Sequence, residues 1–227
     1  MAIILHIETA TTVCSVALSE NGKLLSLKEE NKGLKHAENI TLFIMHVLKE
    51  SGKKITDLDA VALSSGPGSY TGLRIGTSTA KGLCYALDKP LISVSTLQSL
   101  ALNAITKTSD ASALYCPMID ARRMEVFSAV YDEQLNEAEP PAPKIIDENS
   151  FNLLLQSHKI FFFGDGSEKC KAVLSHQPNA IFIDDIFPSA VFMISLAEIK
   201  FSKKQFEDTG LFVPFYLKEF VDGKKSI

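Results

Sequence analysis

The run Ser64-Ser65-Gly66-Pro67-Gly68-Ser69-Tyr70-Thr71-Gly72-Leu73-Arg74-Ile75-Gly76 constrains the fold more than any other part of the chain. It follows the apolar residues Ala60-Val61-Ala62-Leu63, which read as a buried strand. It precedes a helical pattern that reaches about Leu87 and stops at Asp88-Lys89-Pro90. A strand that turns through glycine and proline into a helix brings backbone N–H groups to one place. The run is not a P-loop: that motif ends in Gly-Lys-Ser/Thr, and here Leu73-Arg74 follow Gly72. A phosphate site therefore has to be argued from the surroundings.

The chain has 227 residues, 46% hydrophobic and 22% charged, enough for one large core or two small ones. The start reads as a short strand, with no signal-peptide pattern and no membrane-spanning apolar run. Cys14, Cys84, Cys116 and Cys170 are far apart and form no Cys-x-x-Cys pair, so a disulfide framework and a zinc knuckle are not expected. A reducing, cytoplasmic setting is the expectation. The formal charge of −4 argues against a protein that grips RNA alone through a general basic surface. Lys53-Lys54 and Lys224-Lys225 are only short basic clusters.

The pattern predicts strands over 3–8, 13–18 and 24–28, the last two joined by an Asn21-Gly22 hairpin turn. A helix over 36–51 carries Ile40, Phe43, Ile44, Val47 and Leu48 on one stripe. The strand at 60–63, the helix after Thr71, a strand at 91–94 and a helix capped by Ser95 or Thr96 through Ala104 follow. The order β-β-β-α-β-α-β-α then recurs imperfectly. Strands are expected at 114–119 and 124–131, around the turn Asp120-Ala121-Arg122-Arg123. A proline-rich loop at 139–143 cannot be a central strand or helix interior. Further elements are a helix over 148–156, a strand over 160–163, a helix over 167–174, a strand over 180–183 and a long helix over 189–206. Two such halves match the plan of the actin–hexokinase–Hsp70 group. That is an α/β fold of two ribonuclease-H-like lobes, mixed sheets flanked by helices, with a cleft between. The expected division is 1–105 and 106–227, near the polar stretch 106–112.

In such a fold nucleotide sits between the lobes, facing the hairpin turn Thr9-Ala10-Thr11-Thr12. Two readings of that turn stand. Thr9 and Thr11 donate toward a phosphate, or they satisfy the backbone of a tight turn. Glu8 stands where kinases of this fold have an aspartate that handles metal-bound nucleotide, and its extra methylene displaces the carboxylate. In the second half Asp120 and Arg122 occupy the equivalent turn, which has no glycine between Asp120 and Glu125. Arg122 and Arg123 are read as binding phosphate or RNA, as pairing with a neighbouring subunit, or as facing water. Gly164 and Gly166, in Gly164-Asp165-Gly166-Ser167, mark a strand-to-helix turn where this fold often contacts adenosine.

No two of the five histidines have the i, i+3 or i, i+4 spacing of a helical metal pair, so no metal site is expected. No Gly-x-Ser-x-Gly elbow and no activated cysteine motif is present. On the first helix Leu42 and Met45 fall off the core stripe, and on the second Gly76 and Ala80 are four apart beside Leu73 and Leu83. That suits helix-to-helix association; close packing of Gly76 onto the chain's own sheet explains the glycine equally well.

Several segments in order resemble the TsaB proteins of the glycoprotease-like TsaB/TsaD family. They are Ile7-Glu8-Thr9-Ala10-Thr11, Lys35-His36-Ala37-Glu38, the run from Ser65 to Gly76, Ala80-Lys81-Gly82-Leu83, Asp120-Ala121-Arg122-Arg123-Met124-Glu125-Val126, Gly164-Asp165-Gly166 and Pro214-Phe215-Tyr216-Leu217. Glu8 and Ala37 depart from the family's more usual aspartate and serine. The resemblance implies a non-catalytic subunit in the synthesis of threonylcarbamoyladenosine beside the tRNA anticodon. TsaD, by the same resemblance, carries a metal-binding His-x-x-x-His motif and transfers threonylcarbamoyl from its adenylate; this chain has no such motif. The implied partners are TsaD, TsaE (an ATPase that joins the pair) and a second copy of the chain, with tRNA met only within the complex. The implied interface is the two helices of the first lobe, with His36, Ile40, Leu42, Met45, Leu73, Gly76 and Ala80. No cofactor is expected for the isolated chain, and ATP or ADP for the complex. A self-sufficient carbamoyltransferase or kinase of this fold is the alternative. A peptidase, suggested by the old naming, has no nucleophile constellation behind it.

Overall fold

Each half of the chain builds one mixed sheet with the same strand order. The computed structural model describes residues 2–31, 35–108 and 110–218. In the first half β1 (Ile3–Glu8) lies between β2 (Cys14–Glu20) and β4 (Ala60–Ser64). β3 (Lys23–Glu30) and β5 (Leu91–Val94) form the edges, giving β3-β2-β1-β4-β5. The first hairpin is antiparallel, and β1, β4 and β5 run parallel. In the second half β6 (Leu114–Asp120), β7 (Glu125–Tyr131), β8 (Glu137–Ile145), β9 (Ile160–Phe163) and β10 (Ala180–Phe182) repeat it as β8-β7-β6-β9-β10. The senses repeat as well: β6, β7 and β8 pair antiparallel, and β6, β9 and β10 parallel. This is the two-lobed ribonuclease-H-like plan of the actin–hexokinase–Hsp70 group.

The predicted Asn21-Gly22 turn closes the first hairpin, with both residues at positive φ. α1 (His36–Glu50) buries Ile40, Phe43, Ile44, Val47 and Leu48, the predicted stripe. With α2 (Tyr70–Leu87) it covers one face of the first sheet, over Leu5, Ile7, Val16, Leu18, Val61 and Leu63. α2 ends at Asp88, which takes a left-handed conformation. α3 (Thr96–Thr108) starts on the Ser95 hydroxyl, which accepts from the Gln98 N–H at 3.4 Å. Its apolar side packs on Tyr115, Ile119, Tyr131, Phe161 and Phe163 of the second sheet.

Three expectations change. The proline-rich stretch is not a loop but the edge strand β8, which hydrogen-bonds β7 on one side only. An edge strand tolerates residues without an N–H, so Pro140, Pro141 and Pro143 stop only further pairing. The helix expected over 148–156 shrinks to α4 (Asn152–Leu155). The long final helix is a 3-10 turn (Ala190–Met193) followed by α6 (Ile194–Ser202). α5 (Glu168–Leu174) forms as expected. Ala190, Met193 and Ala197 return to the first sheet, against Ile4, Ala17, Ala62 and Val94.

Candidate functional site

The glycine run and the first hairpin turn press against each other. A Cβ on Gly72 would lie 2.1 Å from the Thr9 carbonyl oxygen, and one on Gly68 2.3 Å from that of Ala10. A Cβ on Gly76 would lie 2.3 Å from the Thr9 hydroxyl oxygen. No side chain larger than hydrogen fits these contacts. Ser69 donates its N–H to the Ala10 carbonyl at 2.6 Å, and its hydroxyl caps α2 by accepting from the Gly72 N–H at 3.3 Å. The start of α2 is thus packed onto the chain's own turn.

The side chains of that turn are committed in the same way. Thr9 donates its hydroxyl to the Gly72 carbonyl at 2.8 Å. The Thr11 hydroxyl accepts the Val13 N–H at 3.4 Å. His36 donates from Nε2 to the Thr11 carbonyl at 2.7 Å, which ties the start of α1 to the turn. Glu8 is fully buried. One carboxylate oxygen accepts the Ala10 N–H at 2.6 Å and the Ser64 hydroxyl at 2.9 Å. The other oxygen has no hydrogen-bond partner. Burial raises this carboxyl to about 7, against the lowering effect of those hydrogen bonds. Two residues earlier, burial lowers the His6 imidazole to about 3. Its Nε2 meets the Ser19 hydroxyl at 2.8 Å.

The second lobe repeats the arrangement in more open form. Asp120 ends β6 as Glu8 ends β1, and it accepts the N–H two residues on, from Arg122 at 2.8 Å. The Asp120 N–H donates to the Asp165 carboxylate at 3.0 Å, and Lys169 pairs with the Asp120 carboxylate. Gly164 takes φ +99° and Gly66 φ +104°, a matched pair at the ends of β9 and β4. A Cβ on Gly164 would meet the Met118 carbonyl at 2.4 Å, and one on Gly166 the Asp120 nitrogen at 3.0 Å. Arg122 and Arg123 both sit at positive φ, and both are exposed. Ser64 at the end of β4, Asp165 in the glycine turn and Lys169 in α5 carry no sequence signal that they will bond the residue ending β1 or β6.

The expected interface residues divide. Leu42 and Met45 are 61% and 63% exposed. His36, Ile40, Leu73, Gly76 and Ala80 are buried within the lobe and are corrected to core. Ile40 and Ala80 pack under the helices, and Gly76 admits Thr9. The outer seam between α1 and α2 is instead a mostly apolar groove of about 500 Å³, lined among others by Ile44, Met45, Leu48 and Leu83, with Lys49 and Lys53 also in its lining. A shallower continuation between Ile40, Arg74, Ile75 and Ser78 holds about 360 Å³.

Among the described residues no group of three His, Cys, Asp or Glu side chains is placed to hold a metal ion. All four cysteines are free and buried, and burial pushes the thiols of Cys14, Cys84 and Cys170 up to about 11. Among the described residues no helix is long and apolar enough to cross a membrane.

The family profile described as TsaD, tRNA N6-adenosine threonylcarbamoyltransferase, matches residues 30–188. The tRNA threonylcarbamoyladenosine biosynthesis protein TsaB of Escherichia coli K12 is 40% identical over 133 residues, 59% of this chain and 56% of that protein. The chain thus aligns with little more than half of that relative. The TsaB protein of Haemophilus influenzae is 29% identical over 98% of this chain and 96% of its own length. A crystal structure from Pseudomonas aeruginosa, described as an uncharacterized protein with similarity to peptidase YeaZ, superposes with a TM-score of 0.85 at 27% identity. That superposition covers 96% of this chain and all of the other. A second structure, YeaZ from the same organism, gives 0.84 at 26% identity. The profile match spans well over half of the chain, the relatives carry the TsaB name, and the solved structures share both lobes. The chain belongs to the TsaD family, in its TsaB branch.

Proposed function

We propose that the chain is a non-catalytic subunit in the biosynthesis of threonylcarbamoyladenosine in tRNA, and that it works in the cytoplasm by binding TsaD, and with it TsaE. A second copy of the chain competes for the same face. The observation that carries the reading is the groove between α1 and α2, which the exposed Met45 lines, with Leu42 exposed three residues before it on α1. Two helices with an apolar seam between them are one half of a four-helix contact. The inner turns support a scaffold rather than a catalyst. Thr9, Thr11, Glu8 and Asp120 are each bonded within the chain. ATP or ADP belongs to the assembled complex, and tRNA is met there.

Leu42→Glu tests the surface. A carboxylate at the centre of such a contact is desolvated without a partner, at a cost of a few kcal/mol, about 100-fold in affinity. Sedimentation of the parent and the variant with TsaD measures it, with circular dichroism as the check on folding. A folded variant that binds TsaD like the parent would remove Leu42 from the interface.

A further inference from the structure

The last described segment of the chain ties the two lobes together, and this inference does not rest on the partner reading. α3 is the floor between the lobes. The Thr96 N–H donates to the Gly66 carbonyl at 3.0 Å, and the Gly66 N–H donates to the Thr96 hydroxyl at 3.2 Å. One turn further along α3, the Leu100 side chain stands 3.0 Å from where a Cβ on Gly164 would be. The glycine turns of both lobes therefore converge on the first turns of one helix, about 6 Å apart along its axis.

Residues 207–218 run from the first sheet to these turns. Glu207 donates its N–H to the Leu91 carbonyl at 2.9 Å, and its carboxylate takes the Ser93 hydroxyl. Lys81 of α2 donates to the carbonyls of Gly210 and Phe212 at 3.0 and 3.2 Å. The Phe212 ring packs on the first core. Phe215 donates its N–H to the Ser65 carbonyl at 2.7 Å, beside Gly66, where a Cβ would lie 2.8 Å from the Phe215 carbonyl oxygen. The Tyr216 ring lies 4.8 Å from that of Tyr70, and the Arg74 guanidinium covers Tyr70 at 4.4 Å. Lys218 then pairs with the carboxylate of Glu125, the residue that closes the second lobe's hairpin turn.

The geometry points to a strap: residues 213–218 latch the lobes across the cleft, anchored on the first and released at the second. The two ends differ in kind. The first-lobe end has backbone hydrogen bonds and a tilted contact between the Tyr70 and Tyr216 rings. The second-lobe end holds by an ion pair, its lysine side chain 48% exposed and its glutamate 18%, which competing charges at the lysine loosen. Release of that pair leaves the strap on the first lobe and frees the second, with α3 packed on its sheet, to rotate about the Gly66–Thr96 contact.

Spin labels on the full chain test this. Tyr85→Cys on α2 and Leu153→Cys on α4 place labels at residues 89% and 84% exposed, and the four native cysteines are buried. Double electron–electron resonance reads the distance between lobes. The strap predicts a narrow distribution in the label pair alone, a broadened and shifted one on adding Lys218→Glu, and a return to the narrow one with Lys218→Arg. An unchanged distribution in Lys218→Glu overturns the latch. So does a Lys218→Arg distribution as broad as that of Lys218→Glu. TsaD takes no part in the measurement, so its outcome is separate from that of the partner reading.

Discussion

The two lobes share one sheet order and differ in how tightly the turn after their first strand is sealed. In the first lobe Glu8 is fully buried, and Gly68, Gly72 and Gly76 bring α2 into contact with Thr9 and Ala10. In the second lobe Asp120 is exposed and pairs with Lys169, and Arg122 and Arg123 project from the turn. The same topology thus carries one turn buried under α2 and one that Gly164 and Gly166 also press upon but that leaves its charged side chains in solvent. Packing is intolerant of added volume, whereas surface ion pairs contribute little.

The largest effect expected from this contrast is at Gly72. Gly72→Ala puts a methyl group 2.1 Å from a backbone oxygen that cannot rotate away, and should destabilise by about 3 kcal/mol or more. Gly166→Ala, with its nearest atoms at 2.9 and 3.0 Å, should cost about half of that. Gly82→Ala meets nothing within 4 Å in the middle of α2 and should stabilise by about 0.5–1 kcal/mol. Urea unfolding of the three variants gives the ranking. Equal losses at Gly72 and Gly166 would break the comparison.

A smaller effect reads the burial of the first lobe's Glu8 by pH. The Glu8 carboxyl is raised from 4.5 to about 7, so between those values the folded chain holds a proton that the unfolded chain has lost. This makes stability fall as pH rises through that window. His6 is lowered from 6.5 to about 3, so there the unfolded chain holds the extra proton and stability rises with pH. Between 4.5 and 6.5 the two slopes oppose and largely cancel. Glu8→Gln keeps an oxygen to accept the Ala10 N–H and the Ser64 hydroxyl, and removes only the falling slope. Its gain in unfolding free energy from pH 4.5 to pH 6.5 should exceed the parent's by about 2 kcal/mol. Identical profiles would mean that Glu8 stays ionised in the fold.

The smallest signal is expected from nucleotide. With both turns bonded within the chain, titration calorimetry with ATP and magnesium should give a dissociation constant weaker than micromolar, above about −8 kcal/mol. A sub-micromolar value would show that one of the turns opens to ligand.

Sequence periodicity carried most of this architecture. The α1 stripe, the Asn21-Gly22 hairpin and the strand-to-helix turn at Gly66 are local patterns, and local patterns survive in a single sequence. β8 was missed because three prolines erase a strand signal that only edge pairing permits. The site was legible as a place and not as a set of contacts. Glycine spacing marked where backbone approaches closely, but not that the Thr9 and Ala10 backbone is what approaches. On the helices, spacing left Gly76 open to a partner helix or to the chain's own sheet, and the structure takes the second. That Thr9 is the residue Gly76 admits, and that Ala80 is buried on the sheet, are long-range facts that no helical period reveals. Pro214-Phe215-Tyr216-Leu217 was visible as a motif, and its partners Ser65 and Tyr70 lie more than a hundred residues away.

The central claim is that this chain serves the reaction without performing it. The most direct measurement is threonylcarbamoyl transfer from threonylcarbamoyl-adenylate to tRNA, with TsaD, TsaE, ATP and this chain present, and then with each protein omitted in turn. The account predicts full transfer with all three proteins, a large loss when this chain is left out or carries Leu42→Glu, and none from this chain alone. Transfer by the isolated chain at the rate of the complete mixture would contradict it.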